Sequence, residues 1–390
     1  MGIDGLVGWG LARRAAREAA DALPVVEVPL AAAVGAVLAE PLVAATALPA
    51  SDAAMVDGWA VSGPGPWDVV PHTDRLSDGG AAQVAAGEPL PYGSDAVLRH
   101  DRALVLEGGA HGRLHVGDAA TGRLAPHAGY VEPGTYIRPR GEDAAAGQVL
   151  LQAGGIVTPA VAGLAASTGL DTLPVVRPPD VAVVLTERGR DLLGPVLPGW
   201  LAWAGARAFP PHRAIGGIDE IVETVDDANA DVVLVTGALG DGDDIHRAVA
   251  RLGGRWAVDG VAVRPGRECG LAVLPDGKRL VAVPSSPRGA VAGVLTLLVP
   301  LVAVLRGEFG ADEARSEEAV LDVDLPGGVD EQATQLVPVV RRRGGLVVQA
   351  SPLADDGPGA LRGLALADGI AVVLPGAGRA GSGVAVLPLP

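Results

Sequence analysis

Cysteine and aromatic residues are scarce in this 390-residue chain. It has one cysteine, Cys269, and aromatic side chains make up 3% of its residues. A single cysteine cannot form a disulfide framework or a cysteine-ligated zinc site within one chain, and it fits a reducing compartment. Because aromatics are few, we expect alanine, valine, leucine and glycine to fill the core and to line any pocket.

Basic clusters and membrane-length apolar runs are lacking as well. The net charge is −16, and the densest cationic run, within residues 339–345, lies between apolar segments. We interpret this run as a solvated strand end, with a phosphate site as the alternative, and expect no nucleic-acid partner. The longest apolar run, 290–305, is shorter than the ~20 residues of a membrane helix and contains Pro300, so we expect a buried core helix and no membrane partner. The first 23 residues lack the pattern of a signal peptide and indicate a helix over 9–23 and a cytoplasmic protein.

Valine-rich segments alternate with helical segments in the second half of the chain. Strands are predicted at 180–186, 230–237, 256–263 and 278–284, and helices at 217–229, 243–253 and 286–307. This alternation is typical of a mostly parallel sheet that is buried on both faces. Further helices are predicted within 30–39 and from Thr158-Pro159, a threonine cap followed by proline.

The predicted fold class is α/β plus β, with several domains. A doubly wound α/β domain is combined with a β-rich insertion and a small C-terminal β-barrel, because the flanking regions show short apolar runs separated by turn residues. The predicted domains are an N-terminal extended and helical domain of residues 1–48 and 137–178, the insertion 49–136, the α/β domain 179–308 and the barrel 315–390.

Two strand–helix junctions of the α/β domain have the composition of an anion site. In an open α/β sheet ligands bind beyond the carboxyl ends of the strands, where backbone N–H groups and helix dipoles favour anions. The first junction spans 235–246 and the second spans 283–293, and an arginine-containing segment, 263–269, accompanies them. The alternative for each junction is an ordinary strand–helix turn. The candidate binding residues are Thr236, Gly237, Gly242, Arg264, Arg267, Ser285 and Ser286.

Asp57-Gly58 interrupts the apolar run from Ala53 to Val61. Carboxylates are rarely buried unless they are paired or bind a metal. Asp57 is therefore either a turn residue of a plain Asp-Gly turn or an acid that takes part in the chemistry.

The order of several motifs resembles one family, the molybdopterin molybdenumtransferases, which include bacterial MoeA proteins and the E-domain of gephyrin. "LPASDAAMVDGWAV" is similar to the family's P-x-x-x-x-S-A-M-D-G-Y-A-V, and "AAGEPLPYGSDAVLRHD" to T-G-A-P-L-P-x-G-A-D-A-V-V-x-x-E. "YIRPRGEDAAAG" is similar to N-I-R-x-x-G-E-D-x-x-x-G, "VTGALGDGDD" to T-G-G-V-S-V-G-D-x-D, "VRPGREC" to K-P-G-K-P and "VPSSP" to L-P-G-N-P. The resemblance extends from about residue 25 to residue 390.

This resemblance implies an elongated homodimer of four-domain subunits, in which the α/β domain of one subunit faces the Asp57 segment of the other. It implies insertion of molybdate into adenylylated molybdopterin, with metal-dependent hydrolysis of a pyrophosphate and release of AMP. Mg²⁺ is the expected cofactor, because it takes one or two carboxylates together with substrate phosphates. The resemblance gives the catalytic candidates Asp57, Asp143 and Asp244, the metal-binding candidates Glu187, Asp243 and Asp244, and Arg138 as a further oxyanion-binding residue.

The departures from the family pattern fall at the same motifs. Ala86 replaces a threonine, Ala54 and Pro358 replace serines, Ser285-Ser286 replaces Gly-Asn, and arginines 264 and 267 replace lysines. The acid of the family's T-G-D-E-L run has no direct counterpart, so Glu187 or Asp191 is the substitute. The last aspartate of T-G-G-V-S-V-G-D-x-D falls on Ile245, one position after Asp244, and one helical position turns a side chain by about 100°. The alternative function is therefore a degenerate paralogue that binds molybdopterin or a partner without turnover. A third possibility is a related hydrolase that acts on another nucleotide or pterin, or an assembly role without a ligand.

Overall fold

The computed structural model describes residues 5–106, 111–126, 129–187, 192–237, 244–308, 316–325, 328–344, 347–353 and 361–390. Its α/β part contains the strands Asp180–Leu185, Arg207–Ala208, His212–Arg213, Val232–Thr236, Arg255–Asp259, Gly270–Val273 and Arg279–Val283. The accompanying helices are Leu197–Ala204, Ile218–Asp227, Asp244–Arg251 and Pro287–Leu305.

Three neighbouring parallel strands form the centre of this sheet. Val232–Thr236 pairs with Asp180–Leu185 on one side and with Arg279–Val283 on the other. Gly270–Val273 and Arg255–Asp259 continue the sheet in antiparallel orientation, so the sheet is mixed rather than all parallel. The carboxyl ends of the three parallel strands therefore meet at one edge, where the next residues are Thr186, Gly237 and Pro284.

Valine and leucine side chains alternate between the two faces of the sheet. Val183 and Leu234 belong to one buried cluster together with the long helix Pro287–Leu305, and Val184 and Val233 belong to a second cluster. The second cluster also contains buried residues of Ile218–Asp227 and Asp244–Arg251. Both faces are thus covered by helices, which confirms the doubly wound arrangement predicted from the valine-rich strands.

The long helix Pro287–Leu305 is the core helix predicted over 286–307. It is long and apolar enough to cross a membrane, but 94% of its most apolar window is buried inside the protein. Residues 294–298 are wound as a π-helix, and the N–H of Val299 bonds to the carbonyl of Val294. With the same five-residue offset, the partner of the Leu295 carbonyl would be Pro300, which has no N–H to donate. Arg13 Nη1 donates to that carbonyl instead, and Trp9 Nε1 donates to Thr296 Oγ1 over 3.2 Å, so the helix Trp9–Glu18 is fastened to the long helix.

The C-terminal region forms a closed five-stranded barrel. Its strands are Thr334–Gly344, Val347–Pro352, Glu317–Leu321, Gly383–Pro388 and Gly369–Val373, in spatial order, and the last pairs again with the first; a short helix, Arg362–Leu366, precedes Gly369–Val373. Arg342 and Arg343 are exposed at the end of Thr334–Gly344, as the sequence indicated. The single strand predicted over 256–263 is wrong. The chain turns at Gly260 (φ 76°), so that Val261–Arg264 leaves the α/β sheet and pairs with Thr334–Gly344 of the barrel and with Val7–Gly8.

The first 178 residues form small sheets and short helices. The strands from Ala53 to Arg138 are Ala53–Ala54, Gly58–Val61, Trp67–Val69, Gly80–Val84, Ala96–Arg99, Ala103–Leu106, Arg113–Asp118, Arg123–Leu124 and Ile137–Arg138, with one 3₁₀ turn, His100–Arg102. The adjoining strands are Val25–Pro29, Val37–Leu38, Leu42–Val43, Val149–Leu151 and Thr172–Val176, with the helices Leu30–Ala33 and Pro159–Ser167. Thr158 caps Pro159–Ser167 by accepting the N–H of Val161 over 3.2 Å, as predicted. The longer helix predicted within 30–39 is wrong, because the chain turns at Gly35 (φ 88°) and continues as a strand.

Candidate functional site

The carboxyl edge of the parallel strands is held together by contacts between their last residues. Thr186 Oγ1 donates to the Thr236 carbonyl over 2.5 Å, and the Gly237 N–H donates to the Val283 carbonyl over 2.8 Å. Thr236 is fully buried, and it is the last residue of a strand that pairs with a neighbour on each side. The three strand ends are therefore fixed relative to one another.

Glu187 follows the first of these strands and turns its carboxylate inward. Its Oε2 accepts a hydrogen bond from Thr236 Oγ1 over 3.0 Å, and Arg213 Nη2 donates to its backbone carbonyl over 2.7 Å. Its second oxygen, Oε1, is buried and accepts no hydrogen bond from the described residues. A buried carboxylate oxygen with no partner is costly unless a ligand or cation satisfies it, so Glu187 has the donor chemistry of a Mg²⁺ ligand.

A pocket of about 200 Å³ opens at this edge, and its lining includes Thr186, Gly217, Gly237, Asp244 and Ile245. We call it the sheet-edge pocket. The helices Ile218–Asp227 and Asp244–Arg251 both begin beside it. Gly237 has no space for a side chain, since a Cβ there would lie 2.8 Å from Ile245 Cδ1 and 2.9 Å from Thr186 Oγ1. A larger residue at this position would displace the junction.

The two residues at the start of Asp244–Arg251 point in different directions. Ile245 is 3% exposed and belongs to the buried cluster beneath the sheet edge. Asp244 is exposed, and its Oδ1 lies 3.2 Å from Arg247 Nη1. Ile245, which occupies the position of the motif's last aspartate, is thus an apolar core residue. The neighbouring acid, Asp244, is at the surface, at the rim of the pocket.

The second strand–helix junction places Ser285 at the surface and Ser286 at the cap position of the long helix. The Ser286 carbonyl accepts the N–H of Ala290 over 2.8 Å, but its hydroxyl makes no capping hydrogen bond. The Ser286 side chain therefore does not cap this helix. A Cβ on Gly289 would lie 2.5 Å from Ser286 Oγ, so the hydroxyl lies over the first turn of the helix.

Arg264 and Arg267 line a second, smaller pocket of about 100 Å³ between the α/β part and the barrel, which we call the arginine pocket. Arg264 Nη1 lies 3.3 Å from Asp330 Oδ2, whereas no ion pair of Arg267 is found in the part of the chain that the structure describes. Asp330 Oδ1 accepts the backbone N–H groups of Gln332 and Ala333, each over 2.9 Å. These contacts lower the pKa of Asp330. The Gln332 N–H has the largest effect, the Ala333 N–H and Arg264 add to it, and burial opposes it.

The segment that carries Arg264 and Arg267 reaches the sheet at the same carboxyl edge that holds the sheet-edge pocket. The segment before Gly270–Val273 packs on the start of the long helix, because a Cβ on Gly266 would lie 3.3 Å from the Gly289 carbonyl. Gly270 in turn pairs with Ala282, one residue before the strand end Val283. Two strand spacings of ~4.8 Å separate Val232–Thr236 from Gly270–Val273.

The candidates of the N-terminal half form a separate group. Asp57 is exposed, and its Oδ1 accepts the N–H of Ala86 over 2.8 Å. It lines an open groove of about 680 Å³ together with Trp59, Glu88 and His100. Neither pocket at the carboxyl edge has Asp57 among its described lining residues.

Arg138 and Asp143 bind each other in that half. Arg138 Nη2 donates to both oxygens of Asp143, and its Nε lies 3.2 Å from Glu142 Oε2. The hydrogen bond that Arg138 donates to Asp143 raises the pKa of Arg138, with a smaller effect of Glu142. The charge of Arg138 is therefore already balanced by neighbouring acids within this subunit.

Two site candidates, Gly242 and Asp243, lie outside the described residues, as does Asp191. Sequence reasoning missed Asp330, because it precedes a barrel strand far along the chain from Arg264 and no local pattern joins the two. It also missed Trp59 and His100, whose rings meet edge to face with centroids 6.0 Å apart in the Asp57 groove.

Comparison with known proteins gives two family models in succession. A model described as the MoeA N-terminal region, domains I and II, matches residues 11–169, and a model described as a probable molybdopterin binding domain matches 181–304. Together they define the class, a chain in which a MoeA N-terminal region precedes a molybdopterin-binding α/β domain.

Individual relatives agree with these models. Molybdopterin molybdenumtransferase 2 of Mycobacterium tuberculosis is 33% identical over 251 residues, which is 60% of this chain but only 55% of the relative's length. A molybdopterin molybdenumtransferase of Staphylococcus aureus is 25% identical over 72% of each chain. The crystal structure of a molybdopterin biosynthesis MoeA protein from Pyrococcus horikoshii superimposes with a TM-score of 0.72, at 22% identity, over 98% of this chain and 99% of the other. The chain belongs to the MoeA family.

Proposed function

We propose that this protein inserts molybdate into adenylylated molybdopterin and hydrolyses the pyrophosphate bond in a Mg²⁺-dependent reaction that releases AMP. The observation that carries the proposal is the meeting of Thr186, Glu187, Thr236 and Gly237 at the ends of adjacent parallel strands, within the region that matches a molybdopterin-binding model. The cytoplasm is the proposed compartment, since the single cysteine is buried and takes no part in a disulfide.

The charge of the sheet-edge pocket supports a requirement for a cation. Asp244 lines the sheet-edge pocket, and Glu187 stands directly after the lining residue Thr186. Two carboxylates thus adjoin the proposed diphosphate site, so anion binding there needs a positive charge between them. Among the residues that the structure describes, no three potential metal ligands cluster, and Asp243 lies outside them. Two carboxylates with substrate phosphates are nevertheless a usual set for Mg²⁺. Glu187 and Asp244, with Asp243, are the proposed metal-binding residues.

Each remaining residue has a proposed role in binding or orientation. Thr236 orients Glu187 through its hydroxyl, Gly237 lets the substrate approach the backbone, and the start of the long helix at Ser285 and Ser286 binds phosphate oxygens. A bound Mg²⁺ would neutralise the diphosphate and polarise it for attack by water. Arg264 and Arg267 are proposed to bind the molybdate oxyanion.

Asp57, Arg138 and Asp143 fit this scheme only if a second subunit brings them to the pocket. We propose a homodimer in which the Asp57 groove of one subunit faces the sheet-edge pocket of the other. Mixing the two inactive variants Asp57→Asn and Glu187→Gln should restore activity, since each mixed dimer has one intact composite site. Mixtures as inactive as the separate variants would contradict this arrangement.

The reaction is tested by incubating purified protein with adenylylated molybdopterin, Mg²⁺ and molybdate and measuring AMP. Thr236→Val should lower the rate about 10–100-fold, because it removes the hydrogen bond that orients Glu187. Thr224→Val, the same substitution outside the pocket lining, should leave the rate unchanged. Absence of AMP at every Mg²⁺ concentration would refute the proposed reaction.

Binding without turnover is the second candidate function. Ile245 favours it, because a buried isoleucine stands where the family motif has an aspartate. Ala86 favours it too, since this position contributes only a backbone N–H to Asp57 and no hydroxyl. Calorimetry that shows binding of adenylylated molybdopterin, together with no AMP release, would select this function over the first.

A further inference from the structure

Asp330 is the one acid among the described residues that line the arginine pocket, and it is held more firmly than the arginine it contacts. Asp330 Oδ1 accepts two backbone N–H groups, from Gln332 and Ala333. The backbone of Asp330 is anchored as well, because its N–H donates to Gln335 Oε1 and its carbonyl accepts the N–H of Gly376, each over 3.0 Å. The side chain of Asp330 is 14% exposed.

Arg264 is the more exposed and less tightly held member of the pair. Its side chain is 72% exposed and contacts Asp330 through one nitrogen and one oxygen, 3.3 Å apart, rather than through a two-pronged contact. Because the guanidinium is largely in solvent and makes a single contact, the pair is screened and leaves the other nitrogens of Arg264 accessible to an anion. Asp330 therefore stays in place while Arg264 is able to change partner.

The pocket has the size and charge of a site for one small anion. Its volume of about 100 Å³ corresponds to roughly three waters, at ~30 Å³ each, and is below the 300 Å³ or more of pockets for larger ligands. Arg264 and Arg267 contribute two positive charges and Asp330 one negative charge, so a doubly charged oxyanion meets a repulsive carboxylate beside the arginines.

We propose that Asp330 is a built-in competitor of the oxyanion for Arg264 and so determines the affinity of the pocket. In the free protein Arg264 pairs with Asp330, and Arg267 is the first cation that the anion meets. On binding, Arg264 moves from the fixed carboxylate to the anion, without covalent change. The identity of the anion as molybdate rests on the proposed function, whereas the competition rests only on the geometry of the pocket.

Calorimetric titration with molybdate tests this role directly. Asp330→Asn keeps an oxygen that accepts the Gln332 and Ala333 N–H groups but removes the negative charge, and it should tighten molybdate binding about tenfold. In an Arg264→Gln background the same substitution should change the affinity less than about twofold, because the competition requires Arg264. Asp324→Asn is the matched control: Asp324 also accepts a backbone N–H in the barrel, from Ala380, but is not among the residues lining the pocket.

The outcomes separate this inference from the proposed reaction. Three outcomes would each overturn the competition. Asp330→Asn binds molybdate no more tightly than the unmodified protein, Asp324→Asn tightens binding equally, or no variant binds molybdate at millimolar concentration. Tightening by Asp330→Asn in a protein that releases no AMP would support the competition while refuting the proposed reaction. Matching urea midpoints for the two asparagine variants would show that a folding defect does not cause the difference.

Discussion

Ile245→Asp restores the residue that the family motif has at this position, and we expect it to destabilise the protein. Ile245 is 3% exposed and packs in the buried cluster between the sheet and the helices Ile218–Asp227 and Asp244–Arg251. It also lies against Gly237 at the strand end. Ile245 also lines the floor of the sheet-edge pocket, but its side chain is almost entirely buried among apolar residues, so an aspartate there would place its carboxylate in apolar surroundings.

The expected cost has two parts. Removing a buried isoleucine side chain loses about 1.5–3 kcal/mol of apolar burial. Burying a carboxylate without a partner costs several kcal/mol more, or forces the carboxylate to be protonated. The sum of at least about 4 kcal/mol is a large part of the 5–15 kcal/mol that stabilises an ordinary domain. This replacement alone should therefore not create a working acid.

Urea unfolding followed by circular dichroism measures this loss. Ile215→Asp is the matched control, because Ile215 lines the same pocket but is 44% exposed, so the same change should cost less than about 1 kcal/mol. If the two variants unfold within about 1 kcal/mol of each other, Ile245 does not face the core. The expectation that an aspartate at position 245 would be buried would then be refuted.

Three further predictions concern single positions. Gly237→Ala should lower the free energy of unfolding in urea by about 1–3 kcal/mol, because the φ of 149° and the contact with Ile245 exclude a Cβ. Gly199→Ala, which has open space around it, should not destabilise the protein. Burial raises the pKa of Cys269 to about 12, so its thiol should not react with an aromatic disulfide reagent at pH 8 until urea unfolds the protein, and rapid reaction with folded protein would contradict its burial. The ionised Asp330 carboxylate, whose pKa is lowered in the folded protein, should stabilise the fold above pH ~4. This stabilisation is lost as the pH falls through the pKa of the folded state, so Asp330→Asn should lose less stability in acid than the unmodified protein does. Identical pH profiles would contradict this contribution.

The α/β part of the fold was predictable because its sequence signals are local. Alternating valines of Val232–Thr236 face two different clusters, and Thr158-Pro159 starts a helix as capped helices do. The failures occurred at glycines with positive φ. Gly35 ends a helix that its alanine-rich sequence favours, and Gly260 passes the chain from one sheet to another. Propensity does not register which sheet a strand joins, since that depends on partners distant in sequence.

The candidate site was predictable only in part, for the same reason. Thr236 and Gly237 stand out because a strand end followed by glycine is a local pattern. The partnership of Glu187 with Thr236 joins residues 49 positions apart, and that of Arg264 with Asp330 depends on a strand pairing between segments far apart along the chain. The direction of Asp244 and Ile245 depends on where the helix begins, which sequence patterns place only to within a few residues.

The most direct test of the central claim is calorimetric titration of the protein with adenylylated molybdopterin, in Mg²⁺ and then in EDTA. The carboxylates of Glu187, at the strand end, and Asp244, in the pocket lining, predict that binding needs the cation and weakens at least tenfold without it, and that Glu187→Gln removes most of this dependence. Equal affinity in Mg²⁺ and EDTA, or binding that Glu187→Gln leaves unaltered, would contradict a diphosphate site at the ends of these strands.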